Sequence, residues 1–163
     1  MFEASEQVTI AAPPSRVWSA LTDFAQYGQW HPFMKLEGRA SAGAEVQYTL
    51  YRKLGGRTLT TTARISACDE PRLLSFEMGV PRLLWVEEWY SIAPAGAGAC
   101  LKHGMRFSGI LTFVARFKLK RYLYLLGRPI QSLARYLAPP VQPVNVTGKS
   151  GKPKRRNKPK RRR

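Results

Sequence analysis

Apolar and polar residues alternate in short runs over most of this chain, then switch near its end to a spacing of three and four. Residues 5–11, SEQVTIA, alternate with the period of a strand. AAPPS interrupts the alternation, and Ser15 is placed to cap a helix that buries Val17, Trp18 and Leu21 on one face. A second short helical piece is expected over Phe24–Gln29. It must end before Pro32, because a residue preceding proline is pushed out of the helical region.

From Phe33 to Ser108 the pattern predicts strand after strand. Phe33–Arg39 is followed by SAGAE, then by Val46–Arg52 with Val46, Tyr48 and Leu50 on one face. LGG turns the chain into Arg57–Ala67, where Leu59, Thr61, Ala63 and Ile65 share a face. CDEP leads to Arg72–Met78, with Leu74, Phe76 and Met78 aligned. GVP leads to Leu83–Ala93, and PAGAGA to Cys100–Ser108. Connections of hairpin length make this an antiparallel meander.

After Gly109 the period changes. Leu119, Tyr122, Leu123, Leu126, Ile130, Leu133 and Leu137 recur at helical spacing, with Arg116, Lys120, Arg128, Gln131 and Arg135 on the other side. The expected element is a long amphipathic helix, bent at Gly127–Arg128–Pro129 and stopped by Pro139–Pro140. One strand, two short helices, six more strands and a long helix give an α+β order. The simplest packing lays the helix across the concave face of a curved sheet, which leaves room for a cavity. Residues 1–139 form the expected domain, and 140–163, with nothing to bury, the expected disordered tail.

Charge sharpens that division. The chain carries 27 Lys and Arg against 10 Asp and Glu, a net +17. Ten of the cations, and no anion, lie between Lys149 and Arg163, so more than half of the net charge sits in the last fifteen residues. Such a tail suits polyanions: DNA, RNA or anionic lipid headgroups. Its expected contacts are Lys152, Lys154, Arg155, Arg156, Lys158, Lys160, Arg161, Arg162 and Arg163. Without aromatic residues for stacking, binding to nucleic acid would be blind to sequence. Arg116, Lys118, Lys120 and Arg121 extend the basic surface towards a membrane.

Cys68 and Cys100 have no metal-site spacing and read as reduced thiols. No export signal and no apolar run of membrane-spanning length is visible, so a cytoplasmic protein is expected, peripheral to the membrane or nucleoid-associated if the tail so directs it.

PPSRVWSALTDFAQYGQWHPF (13–33), EEWYSIAP (87–94) and LKHGMRFSG (101–109) resemble the SRPBCC superfamily, the START-related and polyketide cyclase/dehydrase-like helix-grip proteins. The resemblance covers residues 3–137. It implies a helix-grip fold in which a curved antiparallel sheet of about seven strands wraps around the long C-terminal helix. It also implies a ligand cavity between the two, shared by lipid carriers, hormone binders and aromatase/cyclases. Related sequences often carry Asn where this chain has His31, so that turn does not require an imidazole.

Chemistry is expected on the hairpin around PAGAGA. If Ile92 faces Leu101, antiparallel register sets Tyr90 opposite His103 and Glu88 opposite Met105. Glu88, Tyr90 and His103 then converge inside an apolar cavity, where they either orient a polar ligand group or shuttle a proton. The alternative is that they satisfy one another, or that a bulge turns Glu88 outward. Tyr48, Leu50, Phe76, Met78, Met105 and Phe107 are the expected apolar lining, with Trp30 and Phe33 closing the mouth. Trp85 and Trp89 fall on the opposite face. His31, with no ligand-type neighbour at metal spacing, is expected at an exposed or rim position, as a structural residue or, alternatively, as a rim contact to the ligand. No phosphate-loop, zinc-protease or nucleophile-elbow motif occurs, and neither metal nor cofactor is expected.

Three functions remain open. The leading one is binding, or transport, of a small hydrophobic or lipid-like ligand, with the tail holding the protein at an anionic surface. The second is a cofactor-free cyclase/dehydrase-type lyase or isomerase using His103 with Glu88 or Tyr90. The third is a nucleic-acid-associated protein acting through its tail.

Overall fold

The computed structural model describes residues 1–51, 58–113 and 126–138. The elements are β1 (Phe2–Ile10), α1 (Pro14–Thr22), a 3-10 turn (Phe24–Gln26), α2 (Tyr27–Trp30), β2 (Met34–Glu37), β3 (Glu45–Tyr51), β4 (Thr58–Asp69), β5 (Leu73–Val80), β6 (Leu84–Ala95), β7 (Gly98–Ser108) and α3 (Gly127–Leu137). The strands form one antiparallel sheet in the order β1-β7-β6-β5-β4-β3-β2, curled into a half-barrel. Consecutive strands from β2 to β7 are neighbours, as short hairpins require. β1 returns to close against β7.

The helices between β1 and β2 follow from local chemistry. Pro14 stands at the first position of α1, where its missing N–H has no intrahelical partner to lose. The cap is Pro13, with no side-chain hydrogen bond, so Ser15 lies inside the first turn and does not cap it. Val17, Trp18 and Leu21 are buried as expected. The Asp23 N–H donates to Ser19 O at 3.0 Å as the helix ends. After the 3-10 turn, α2 stops at His31, whose extended backbone (ψ 117°) is what Pro32 demands.

Two neighbours fix the outer face of the β6–β7 hairpin. Trp89 stands opposite Gly104 and lays its ring where a side chain would be, since a Cβ there would lie 2.2 Å from Trp89 Cζ2. Lys102 Nζ sits 5.3 Å from the centre of that ring. Further along, Arg106 joins three strands, donating from Nε to Glu3 on β1 and from Nη1 to Glu87 on β6, both at 2.8 Å.

The inner face carries the core. Leu36, Val46, Ile65, Leu74, Phe76, Tyr90, Ile92 and Leu101 meet Val17, Leu21 and Trp30 from the short helices. α3 adds Ile130, Leu133 and Leu137 and packs mainly on β1, touching β7 and α2 as well. Fully burying each of these aliphatic side chains contributes ~1.5–3 kcal/mol. Arg128, Gln131 and Arg135 face outward, as the helical period predicts. Gly127–Arg128–Pro129, where a bend was expected, form the first turn of α3, while the expected helical residues 119–125 and the basic cluster 116–121 lie outside the described residues.

One strand face is less covered than alternation implied. Ala63 and Ile65 are buried, but Leu59 is 55% exposed. Alternation decides which face a side chain joins, and coverage of that face depends on what packs there.

Candidate functional site

Glu88 is buried in the middle of β6, and its two oxygens gather three donors. Oε1 accepts from Tyr90 Oη at 3.0 Å and His103 Nε2 at 2.8 Å, and Oε2 accepts from Tyr48 Oη at 2.5 Å. The sheet delivers these groups by register. Tyr90 lies two residues along the same strand face, His103 stands directly opposite Tyr90 on β7, and Tyr48 comes across from β3. The Tyr90 and His103 rings stack with centroids 4.3 Å apart and planes within 2°. The expected Ile92–Leu101, Tyr90–His103 and Glu88–Met105 pairs are all present, and no bulge turns Glu88 outward.

His103 is also held from its other side. Nδ1 lies 3.0 Å from the Leu126 carbonyl at the start of α3. A carbonyl can only accept, so Nδ1 carries a proton. Nε2 then shares a second proton with Glu88. Burial pushes the Glu88 pKa up, but the hydrogen bond and charge of His103, the Tyr48 hydroxyl and the charge of His31 outweigh it and bring the pKa below the ordinary carboxylate value. The stable arrangement is a carboxylate facing an imidazole that donates from both nitrogens. Tyr48 and Tyr90 are raised well above the usual phenol value, by burial first and by Glu88 second, so both remain donors.

A second aromatic group adjoins this cluster. Tyr27 is fully buried and donates to the Leu21 carbonyl at 2.9 Å. Its ring stacks on His31 at 5.7 Å and meets Trp30 at 4.6 Å. His31 is only 9% exposed, a correction to the exposed or rim position expected for it. It turns inward because the single turn of α2 ends with the His31 N–H donating to the Tyr27 carbonyl at 2.7 Å, which sets the imidazole against the Tyr27 ring. Its Nδ1 accepts from the Phe33 N–H at 3.3 Å. Burial lowers its pKa to about 3 despite the opposing charge of Glu88, with His103 adding a smaller lowering.

Of the other expected lining residues, Phe76, Met78, Phe107 and Trp30 are buried, and Leu50, Met105 and Phe33 are half-buried. Trp85 and Trp89 lie on the outer face. Sequence reasoning placed Tyr48 among apolar lining and missed its bond to Glu88, since alternation within β3 says nothing of what stands across the sheet. Tyr27 was missed altogether, although its spacing from His31 was available. Among the described residues no group of three or more His, Cys, Asp or Glu is placed to hold a metal ion, and no helix is long and apolar enough to cross a membrane. Cys68 and Cys100 are free thiols, and the basic residues 149–163 lie outside the described residues.

A curled seven-stranded sheet with short helices after its first strand and a C-terminal helix against it defines a helix-grip protein. The chain belongs to the polyketide cyclase/dehydrase and lipid transport family, whose profile matches residues 1–124, within the SRPBCC superfamily. No curated protein matches the sequence. Among solved structures, protein CV1439 from Chromobacterium violaceum is 17% identical, with 84% of this chain and 98% of that one covered and a TM-score of 0.68. A protein from Arthrobacter aurescens is 14% identical, with 90% and 91% covered and a TM-score of 0.68. The di-domain ARO/CYC protein BexL, from the BE-7585A biosynthetic pathway, is 17% identical, with 84% and 50% covered and a TM-score of 0.62. At these identities the likeness is one of fold.

Proposed function

We propose that this domain binds a small hydrophobic or lipid-like ligand between the sheet and the C-terminal helix, with the Glu88–His103 cluster setting the position of its polar end. The observation that carries this reading is Glu88 itself, a carboxylate in an apolar interior with three donors on it. Apolar side chains of similar volume would hold a core as well or better than a buried ion pair. A family of cyclases, dehydrases and lipid transporters gives such a group something to orient. The enzymatic alternative, proton transfer by His103 with Glu88 or Tyr90, has less support. Both nitrogens of His103 are committed, so neither can take a substrate proton without first breaking a bond. The test is titration of the full chain with the neutral fluorescent probe N-phenylnaphthylamine. Saturable binding at one site per chain is expected, and absence of saturable binding contradicts the reading.

The same domain has an apolar apex suited to a membrane surface. Ile110 and Leu111 donate backbone hydrogen bonds to the Arg82 and Leu83 carbonyls, both at 3.0 Å. This gathers Val80, Leu83, Ile110 and Leu111, all exposed, beside exposed Arg82 at one end of the sheet. With the basic tail following domain residues 1–139, these residues suit peripheral attachment of a cytoplasmic protein to anionic lipid. Nucleic acid is the other polyanion the tail suits, and no aromatic residue in residues 149–163 favours it.

A further inference from the structure

Among the described residues three buried side-chain polar atoms have no hydrogen-bond partner, Trp30 Nε1, His31 Nε2 and Thr112 Oγ1, and the first two are on adjacent residues. His31 Nδ1 is taken by the Phe33 N–H, so the ring proton lies on Nε2, and Nε2 is buried without a partner. Trp30 Nε1 is buried and unpartnered too. The two rings are neighbours, with centroids 5.2 Å apart, and the whole Trp30 side chain is 2% exposed. Buried polar groups in native structures nearly always have a partner, so two orphans on adjacent residues call for one.

Two acceptors of the described residues in this region are engaged elsewhere. Glu88 is occupied by Tyr48, Tyr90 and His103, and the Leu21 carbonyl takes the Tyr27 hydroxyl. An indole N–H and this imidazole N–H can only donate, so the missing partner must accept. The acceptor should also be uncharged, because neutral donors offer no counter-charge to an anion taken out of water. The aromatic surroundings supplied by Tyr27, Trp30 and His31 suit a planar, ring-bearing molecule.

Resting on the ligand-binding reading above, we propose that His31 Nε2, with Trp30 Nε1 as second donor, forms a subsite for the neutral carbonyl or phenolic oxygen of a hydrophobic aromatic ligand. The subsite lies at the C-terminal end of α2, beside the sheet-borne Glu88 cluster. A ligand reaching both is held at two polar points. Hydrocarbon chains lacking such an oxygen leave the donors unpaired and bind less well.

The experiment uses two probes of one shape, methyl naphthyl ketone and isopropenylnaphthalene, which carries a methylene in place of the carbonyl oxygen. Affinities are measured for the full chain and for His31→Phe and His31→Gln, with circular dichroism confirming that each variant is folded. His31→Phe should weaken the ketone about tenfold and change the alkene less than about twofold, with His31→Gln restoring part of the ketone's affinity. In the unsubstituted chain, the Trp30 indole N–H proton resonance, assigned with Trp30→Phe, should move downfield with the ketone and not with the alkene. Equal changes for both probes, or a Trp30 resonance indifferent to the ketone, overturn the subsite while leaving ligand binding standing. If neither probe binds the unsubstituted chain, the subsite and the ligand-binding reading fall together.

Discussion

Glu88 Oε1 and His103 Nε2 lie 2.8 Å apart, with both side chains 3% exposed, and each is what makes burial of the other tolerable. Removing one partner leaves a buried group uncompensated. Glu88→Ala also strips Tyr48 and Tyr90 of their acceptor. Its expected cost is about 3–5 kcal/mol in chemical denaturation. Replacing the pair together, as Glu88→Met with His103→Leu, should recover most of that loss, because the apolar pair has nothing left to satisfy. A loss below ~1 kcal/mol for Glu88→Ala would mean the cluster is wet and weakly coupled.

His31 gives the protein an acid-sensitive term. Its folded pKa is about 3, against 6.5 for an ordinary histidine. Below pH 6.5 the unfolded chain takes up a proton that the folded ring refuses. Stability is therefore fully present above 6.5 and falls as pH drops towards 3, by up to ~1.4 kcal/mol per pH unit. Glu88 acts in the same direction but later. With its folded pKa lowered from 4.5, its contribution is present above that value and is lost as pH falls through the folded pKa. Denaturation midpoints followed from pH 6.5 to 5 should show a slope that His31→Phe flattens, and an unchanged slope would place that proton elsewhere.

Gly104 is a seat for a ring. Its Cβ would lie 2.2 Å from Trp89 Cζ2, so Gly104→Ala must push the indole off the hairpin. A loss of about 1–3 kcal/mol is expected in thermal unfolding, together with a shift in tryptophan emission. In a Trp89→Ala background the same substitution should be nearly neutral, and full cost there would locate the clash in the backbone instead.

Attachment to lipid should need both the apex and the tail. Sedimentation with phosphatidylserine-containing vesicles should fall on deleting residues 147–163 and on Leu83→Glu with Ile110→Glu. The deletion alone should abolish the salt dependence. Salt-sensitive binding that survives the deletion would show that the tail is not the contact.

Much of this arrangement was legible in the residues. Alternation in EEWYSIAP and LKHGMRFSG fixed which side chains face inward, and the short PAGAGA connection fixed which ones meet. Glu88, Tyr90 and His103 therefore fell together from one hairpin's register. What was hidden came from elements with no local pairing rule. Tyr48 reaches Glu88 from β3, forty residues earlier in the chain, and the Leu126 carbonyl reaches His103 from the start of α3. His31 misled for a related reason. A histidine beside a proline suggests a loop at the surface, yet the four-residue helix before it sets His31 against Tyr27 and buries both. Ser15 misled more simply, since Pro14 already opens the helix.

The most direct test of ligand binding is native mass spectrometry of the full chain, purified gently and then exposed to methyl naphthyl ketone. The expected spectrum shows the chain carrying one apolar molecule, either retained through purification or taken up from the ketone in a single stoichiometric step. A spectrum of the bare chain alone, unchanged after exposure, would contradict a ligand-holding interior and leave Glu88, His103 and His31 as parts of a closed core.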